Sequence, residues 1–377
     1  YCIGRTGTGK TTLLETMITQ DIANGEGVCL IDPHGDLVER VAAAIPEHRK
    51  KDVVYFNVPD PNQPYFYNPL KRLPPERRAL AAAGMLEVFK KMWHDAWGNR
   101  MEHLLRNALL ALLDQPNPTL PDILRFFTDD KYRKAVGESV TNEDVRKFCL
   151  EEFGEYSYRY RADAIAPLQS KVGAFLSYPN IKRVLTQADK ALDVRSIMDE
   201  GKILLVNLAK GRIGEDGANL IGGLLLTTIG LAAFSRSDIP ESKRKDFYLY
   251  IDEFQNFTTL SVANMLSELR KFRLSLTVAN QYLSQLEADI RDAVLGNVGT
   301  LISFRIGAKD APYLGREFAP KIEPLHLMNL PNWHIYLKLM VDGAPLQPFS
   351  ATTLTPSEAF DEDAPVERMK VTLKDVM

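Results

Sequence analysis

Two hydrophobic periodicities alternate along this chain, and the switches between them outline its architecture. Runs that are apolar on both faces, at 28–31, 53–56, 202–208, 246–253, 274–279 and 300–306, read as buried strands of a parallel sheet. Between them apolar residues return at three- and four-residue steps. Leu13, Leu14, Met17 and Ile18 predict a helix after the first strand, and Leu37, Val38, Val41 and Ala44 predict one after the second. Strand–helix repetition of this kind predicts an α/β fold with a mostly parallel, doubly wound sheet.

The pattern breaks once. The proline-dense stretch 59–69 reads as loop, and from about Pro74 to Leu185 only helical spacing is found, at 78–92, 100–113, 120–127 and 163–176. This predicts an all-helical inserted domain at 74–185. The nucleotide-binding part is then expected at 1–73 and 186–357, with 358–377 an acidic surface tail. Residues 334–350 read as a hairpin turning at Asp342-Gly343. The uncharged stretch 218–234 resembles a membrane span. It is shorter than the roughly 20 residues a bilayer needs and carries three glycines and Asn219, so a helix packed against the sheet is expected.

Composition adds bounds. A length of 377 residues suits two or three domains, and three scattered cysteines exclude a disulfide framework and point to a reducing, cytoplasmic setting. A net charge of −3 offers no basic arm, so nucleic-acid binding would come from local patches or from an assembled ring. The opening at Tyr1-Cys2-Ile3 reads as the cut end of a strand, with upstream sequence missing.

The chemistry begins at that end. Gly4-Arg5-Thr6-Gly7-Thr8-Gly9-Lys10-Thr11, followed by Thr12, is the G-x-x-x-x-G-K-T phosphate-binding loop. Its glycines let backbone N–H groups reach phosphate oxygens, and the following helix adds its positive end. Lys10 is expected on the β- and γ-phosphates and the Thr11 hydroxyl on Mg²⁺. The strand ending in Asp252-Glu253 supplies the second element: Asp252 for Mg²⁺ through water, Glu253 to polarise the attacking water. Gln281, at the end of the next strand, reads as a γ-phosphate sensor or a helix cap. Asp32 and His34 read as site neighbours or as a cap and a turn residue. Arg305, Arg270 and Arg273 are candidates for an arginine finger, with Arg305 preferred because it interrupts an apolar strand. Tyr156–Arg161 alternates aromatic and basic residues but follows three glutamates, which favours a helix start over a base-stacking platform.

Taken together, IDPHGDL, FYLYIDEFQNF, LSELRKFRLSLTVANQYLSQL, GNVGTLISFRIGAKDA and the helical WGNRMEHLLRNALLALLDQPNPTLPDILRFF resemble the type IV coupling proteins of conjugation and type IV secretion (TraG/TraD-like), within the FtsK–HerA group of DNA-pumping ATPases. The resemblance implies a RecA-like fold interrupted by a helical domain. It also implies ATP and Mg²⁺ as cofactors, and a hexameric homo-oligomer threaded by DNA, expected to be single-stranded. A relaxase and the secretion channel are the implied partners. The implied location is the cytoplasmic face of the membrane, reached through N-terminal helices that this sequence lacks. The implied function is an ATP-hydrolysing motor that translocates DNA into a secretion channel. A HerA-like helicase or pilus-assembly ATPase is the alternative within the group. A P-loop kinase or a non-hydrolysing switch is the alternative outside it.

Overall fold

The computed structural model describes residues 1–186, 191–341 and 343–354. Eleven strands occur among them: β1 (Cys2–Ile3), β2 (Gly27–Asp32), β3 (Val53–Asn57), β4 (Ile203–Asn207), β5 (Phe247–Ile251), β6 (Leu274–Asn280), β7 (Leu301–Ser303), β8 (His334–Lys338), β9 (Met340–Val341), β10 (Ala344–Pro345) and β11 (Phe349–Thr352). Nine form one sheet in the order β11-β8-β7-β1-β6-β5-β2-β4-β3, and β9 and β10 form a separate small ribbon. β1 pairs parallel with β6 and β7, and β5 pairs parallel with β2 and β6. The sheet turns antiparallel at one edge, where β8 pairs with β7 and β11. The fold class read from the periodicity holds, and the hairpin of 334–350 is present as β8 and β11. Asp342 of its expected turn and the tail expected at 358–377 lie outside the described residues.

The chain divides into two compact units. The first comprises Tyr1–Tyr55, Ile197–Val206 and the chain from Pro240 onward. Its core is built from the residues that set the periodicity: Leu14, Ile18 and Ile22 of the helix Lys10–Ala23, Leu37, Val38 and Val41 of the helix Asp36–Ala43, and Val28 and Leu30 of β2. Each is buried, and burial of such a side chain is worth roughly 1.5–3 kcal/mol. Arg49 ties the lower rim together without leaving the interior, donating to the carbonyls of Ile22, Glu26 and Gly201 at 3.0–3.1 Å.

The second unit, Phe56–Ser196 and Asn207–Ile239, is helical. It differs from the sequence reading, which placed 207–239 with the sheet. The helix Glu215–Ser235 is buried on nearly every side, so one neighbouring surface cannot satisfy it. Within its unit it packs on Pro75–Met92, where Gly84 faces Thr227 and leaves no room for a Cβ. By length and composition it could cross a membrane, yet 83% of its most apolar window is buried inside the protein. The Tyr156–Arg161 segment starts a helix. Ser157 caps Tyr158–Ser177 by accepting from the Tyr160 N–H, and Tyr156 stacks on Tyr160 at 4.5 Å.

Candidate nucleotide site

β1 lies at the centre of the sheet and delivers the phosphate-binding loop at its C-terminal end. Parallel order then sets the neighbours. β6 is hydrogen-bonded to β1 and β5 to β6, so Gln281 and the Asp252-Glu253 pair emerge on the same edge as the loop. The loop has the backbone its glycines allow. Gly7 and Gly9 have φ of 77° and 117°, and a Cβ on Gly4 would land on Phe304. Gly9 precedes the helix Lys10–Ala23 with no side-chain cap, which leaves the helix's first N–H groups facing the loop, as an anion site requires.

Lys10 is 6% exposed, and its ammonium donates to the carbonyls of Gly4 and, at 3.3 Å, Arg5. Burial lowers its pKa, opposed by the carboxylates of Asp252 and Glu253 within electrostatic reach. Asp252 is 5% exposed. Burial, reinforced by Glu253 and Asp32, raises its pKa from 3.8 to about 6. A buried carboxylate held this far up is short of positive charge, and a divalent cation beside the Thr11 hydroxyl is the group that would supply it.

Glu253 is held from several directions. Its φ of 49° places it in the left-handed region, and its N–H donates to Asp252 Oδ1 at 2.9 Å. Gln281 Nε2 donates to Glu253 Oε1 at 2.9 Å, Gln255 Nε2 donates to Oε2 at 2.6 Å, and Thr6 Oγ1 donates to Gln281 Oε1 at 3.1 Å. A hydrogen-bonded line thus runs from the phosphate loop through Gln281 to Glu253. Gln281 is placed by Gln285, whose Oε1 accepts its backbone N–H at 3.0 Å.

The other expectations divide. Asp32 does both things weighed for it: its carboxylate accepts from the N–H groups of His34 (2.8 Å) and Val38 (3.0 Å), capping the next helix, and it adds negative charge at Asp252. His34 is exposed. Arg305 stands beside the loop, its carbonyl accepting from the Arg5 N–H at 2.9 Å. Its guanidinium, however, is engaged within its own chain, donating to Leu330 O (3.0 Å) and Asn332 Oδ1 (2.9 Å). Arg270 and Arg273 precede β6, at the opposite end of the sheet from the loop, where Arg273 pairs with Asp246 at 3.3 Å and Arg270 is exposed. The sequence reading missed Gln255, which lies inside the quoted FYLYIDEFQNF and carried a signal in its spacing from Glu253. It also missed Trp333, a lone aromatic that nothing local marks.

The family model of the type IV secretion-system coupling protein DNA-binding domain matches residues 1–312. No curated protein matches the chain. Among solved structures it is similar to the unbound conjugative coupling protein TrwBdeltaN70, at 16% identity and a TM-score of 0.67 over 94% of this chain and 84% of that one. TrwB in complex with ADP and Mg²⁺ gives 16% and 0.66 over 94% and 84%. VirB4 of Thermoanaerobacter pseudethanolicus gives 16% and 0.60 over 95% and 89%. At such identity the structures establish a shared fold, and the family match, which covers most of the sequence, establishes more: this chain belongs to the type IV secretion-system coupling protein DNA-binding domain family.

Proposed function

We propose that this chain is an ATP-hydrolysing motor that moves DNA toward a type IV secretion channel. The observation that carries this reading is the Thr6–Gln281–Glu253 line, which links the phosphate loop to a positioned carboxylate. A carboxylate at the end of this strand suits activation of water, and many P-loop kinases place none there. In this assignment the loop from Gly4 to Thr12 cradles the phosphates and Lys10 leaves the Gly4 and Arg5 carbonyls for phosphate oxygens. Thr11 and Asp252 hold Mg²⁺, Glu253 orients and deprotonates water, and Gln281 reports whether the γ-phosphate is present. Bound Mg²⁺ would neutralise charge on the phosphates as the γ-phosphoryl departs. The TrwB complex with ADP and Mg²⁺ supports this pair of ligands.

The finer parts of the proposal are a homo-oligomeric, hexameric ring around single-stranded DNA, a relaxase partner and a place at the cytoplasmic face of the membrane. They rest on the family. For the trans-acting arginine we favour exposed Arg270 over Arg305, because Arg305 is held by Leu330 and Asn332 in its own chain. The test is phosphate release with and without DNA. Wild type should hydrolyse ATP faster with DNA, and Lys10→Ala should lose hydrolysis. Survival of hydrolysis in Lys10→Ala, or DNA indifference in an assembled ring, sinks the reading.

A further inference from the structure

The flank of the loop away from Glu253 carries an aromatic residue with no assigned task. Trp333 begins the approach to β8, and its φ of 70° is in the left-handed region, strained for any residue with a bulky side chain. The surrounding structure holds it there. Its N–H donates to Thr8 O within the phosphate loop at 2.9 Å, and its carbonyl accepts from the N–H of Thr353 at 2.8 Å and from its hydroxyl at 3.2 Å. Arg305 fixes the preceding turn through Leu330 and Asn332. The result is an indole set against Gly9. A Cβ on that glycine would come within 2.8 Å of the ring. Yet Trp333 is 43% exposed, so the ring is pinned to the loop while part of it faces solvent.

Sheet order gives this position meaning. Gln281 and the Asp252-Glu253 pair lie on the β6–β5 side of β1 and mark where the γ-phosphate goes. The rest of a nucleotide must leave the loop away from them, and the other side of β1 is the β7–β8 side, where Trp333 stands. Its neighbour there, Phe304, is fully buried and packs under the loop. Trp333 is therefore the aromatic surface presented beside the loop on that flank.

We propose that Trp333 is the base-binding wall of the nucleotide site, its indole stacking on the purine of the bound nucleoside triphosphate. The inference rests on the reading that the loop binds such a nucleotide. It explains the strained backbone: the left-handed turn and its three hydrogen bonds hold the ring at a fixed height over Gly9. Because the Trp333 N–H is bonded to Thr8, a base on the ring would be coupled to the same loop that grips the phosphates.

The test compares binding of Mg-ATP with binding of Mg-tripolyphosphate, which has no base, by titration calorimetry on the full chain. Stacking on an aromatic side chain predicts that Trp333→Ala weakens Mg-ATP on the order of 10-fold and leaves tripolyphosphate unchanged. Trp333→Phe should keep most of the ATP affinity. Trp333→Gly, which suits the left-handed backbone and keeps the N–H, should behave as Trp333→Ala, which guards against a folding artefact. The proposal is overturned if Trp333→Ala and Trp333→Gly bind ATP as wild type does, or if ATP and tripolyphosphate weaken together. Wild type that binds neither ligand would overturn the nucleotide reading itself, and this proposal with it.

Discussion

The two flanks of β1 are built differently. On one side β6, β5 and β2 are parallel and five to seven residues long, and their C-terminal ends carry Gln281, Asp252, Glu253 and Asp32. On the other, β7 has three residues, β8 runs antiparallel, and a tryptophan held in the left-handed region stands against the loop. The first flank places carboxylates and an amide beside the phosphate-binding loop. The second offers an apolar ring and hydrogen bonds that brace the loop from behind. The contrast teaches that a central strand can serve two jobs with opposite solvent requirements. Charged groups converge on one side, and an aromatic face borders the other.

The largest expected effect lies on the polar flank. Glu253→Gln keeps the side-chain volume and can still bond Gln281, but it cannot take a proton from water. Its turnover should fall by about 10²–10⁴-fold while ATP binding persists, measured as phosphate release beside a binding titration. A mutant that turns over like wild type would remove the water-activating role and leave the two flanks chemically alike.

Next in size is the effect of the raised Asp252 pKa. The folded state holds this proton to about pH 6, against 3.8 ordinarily, so the stability of the nucleotide-free protein should fall as pH rises across that window. Above it the ionised carboxylate costs up to about 3 kcal/mol. Asp252→Asn, which can still accept the Glu253 N–H, should therefore unfold later than wild type at pH 8 without nucleotide and match it near pH 4. Mg-ATP should narrow the gap by stabilising wild type more than the variant. Equal melting at pH 8 would mean that the carboxylate is not under electrostatic stress.

The smallest effect tests the apolar flank. Gly4→Ala drives a methyl into Phe304 and should destabilise the fold by roughly 1–3 kcal/mol in a denaturant titration. Unchanged stability would show that Phe304 does not press on the loop.

The polar flank was legible in the sequence because each of its elements is local: a glycine-lysine-threonine motif, an apolar run ending in Asp-Glu, another ending in Asn-Gln. Their spatial convergence follows once the strands are known to be parallel. The apolar flank was not legible. Trp333 is some 320 residues from Gly9, and the antiparallel return of β8, with the bonds to Thr8 and Thr353, brings them together. Nor could periodicity say where the helix Glu215–Ser235 belongs. Apolar on nearly all sides, it fits against a sheet or among helices equally well, and the Gly84–Thr227 contact that seats it joins residues far apart in sequence. The partners of Arg305 were hidden for a related reason. A charge in an apolar strand suggests an active-site group, but its partners, Leu330 and Asn332, come from the same distant turn as Trp333.

The central claim is that hydrolysis at this site moves DNA. It is tested most directly by following, in real time, release of streptavidin from a biotin at one end of a single-stranded DNA track. Wild type with Mg-ATP should displace the streptavidin after a lag that lengthens with the track, and Glu253→Gln should bind the same DNA and displace nothing. Displacement by Glu253→Gln at the wild-type rate, or a wild type that hydrolyses ATP without ever displacing the streptavidin, would contradict the account.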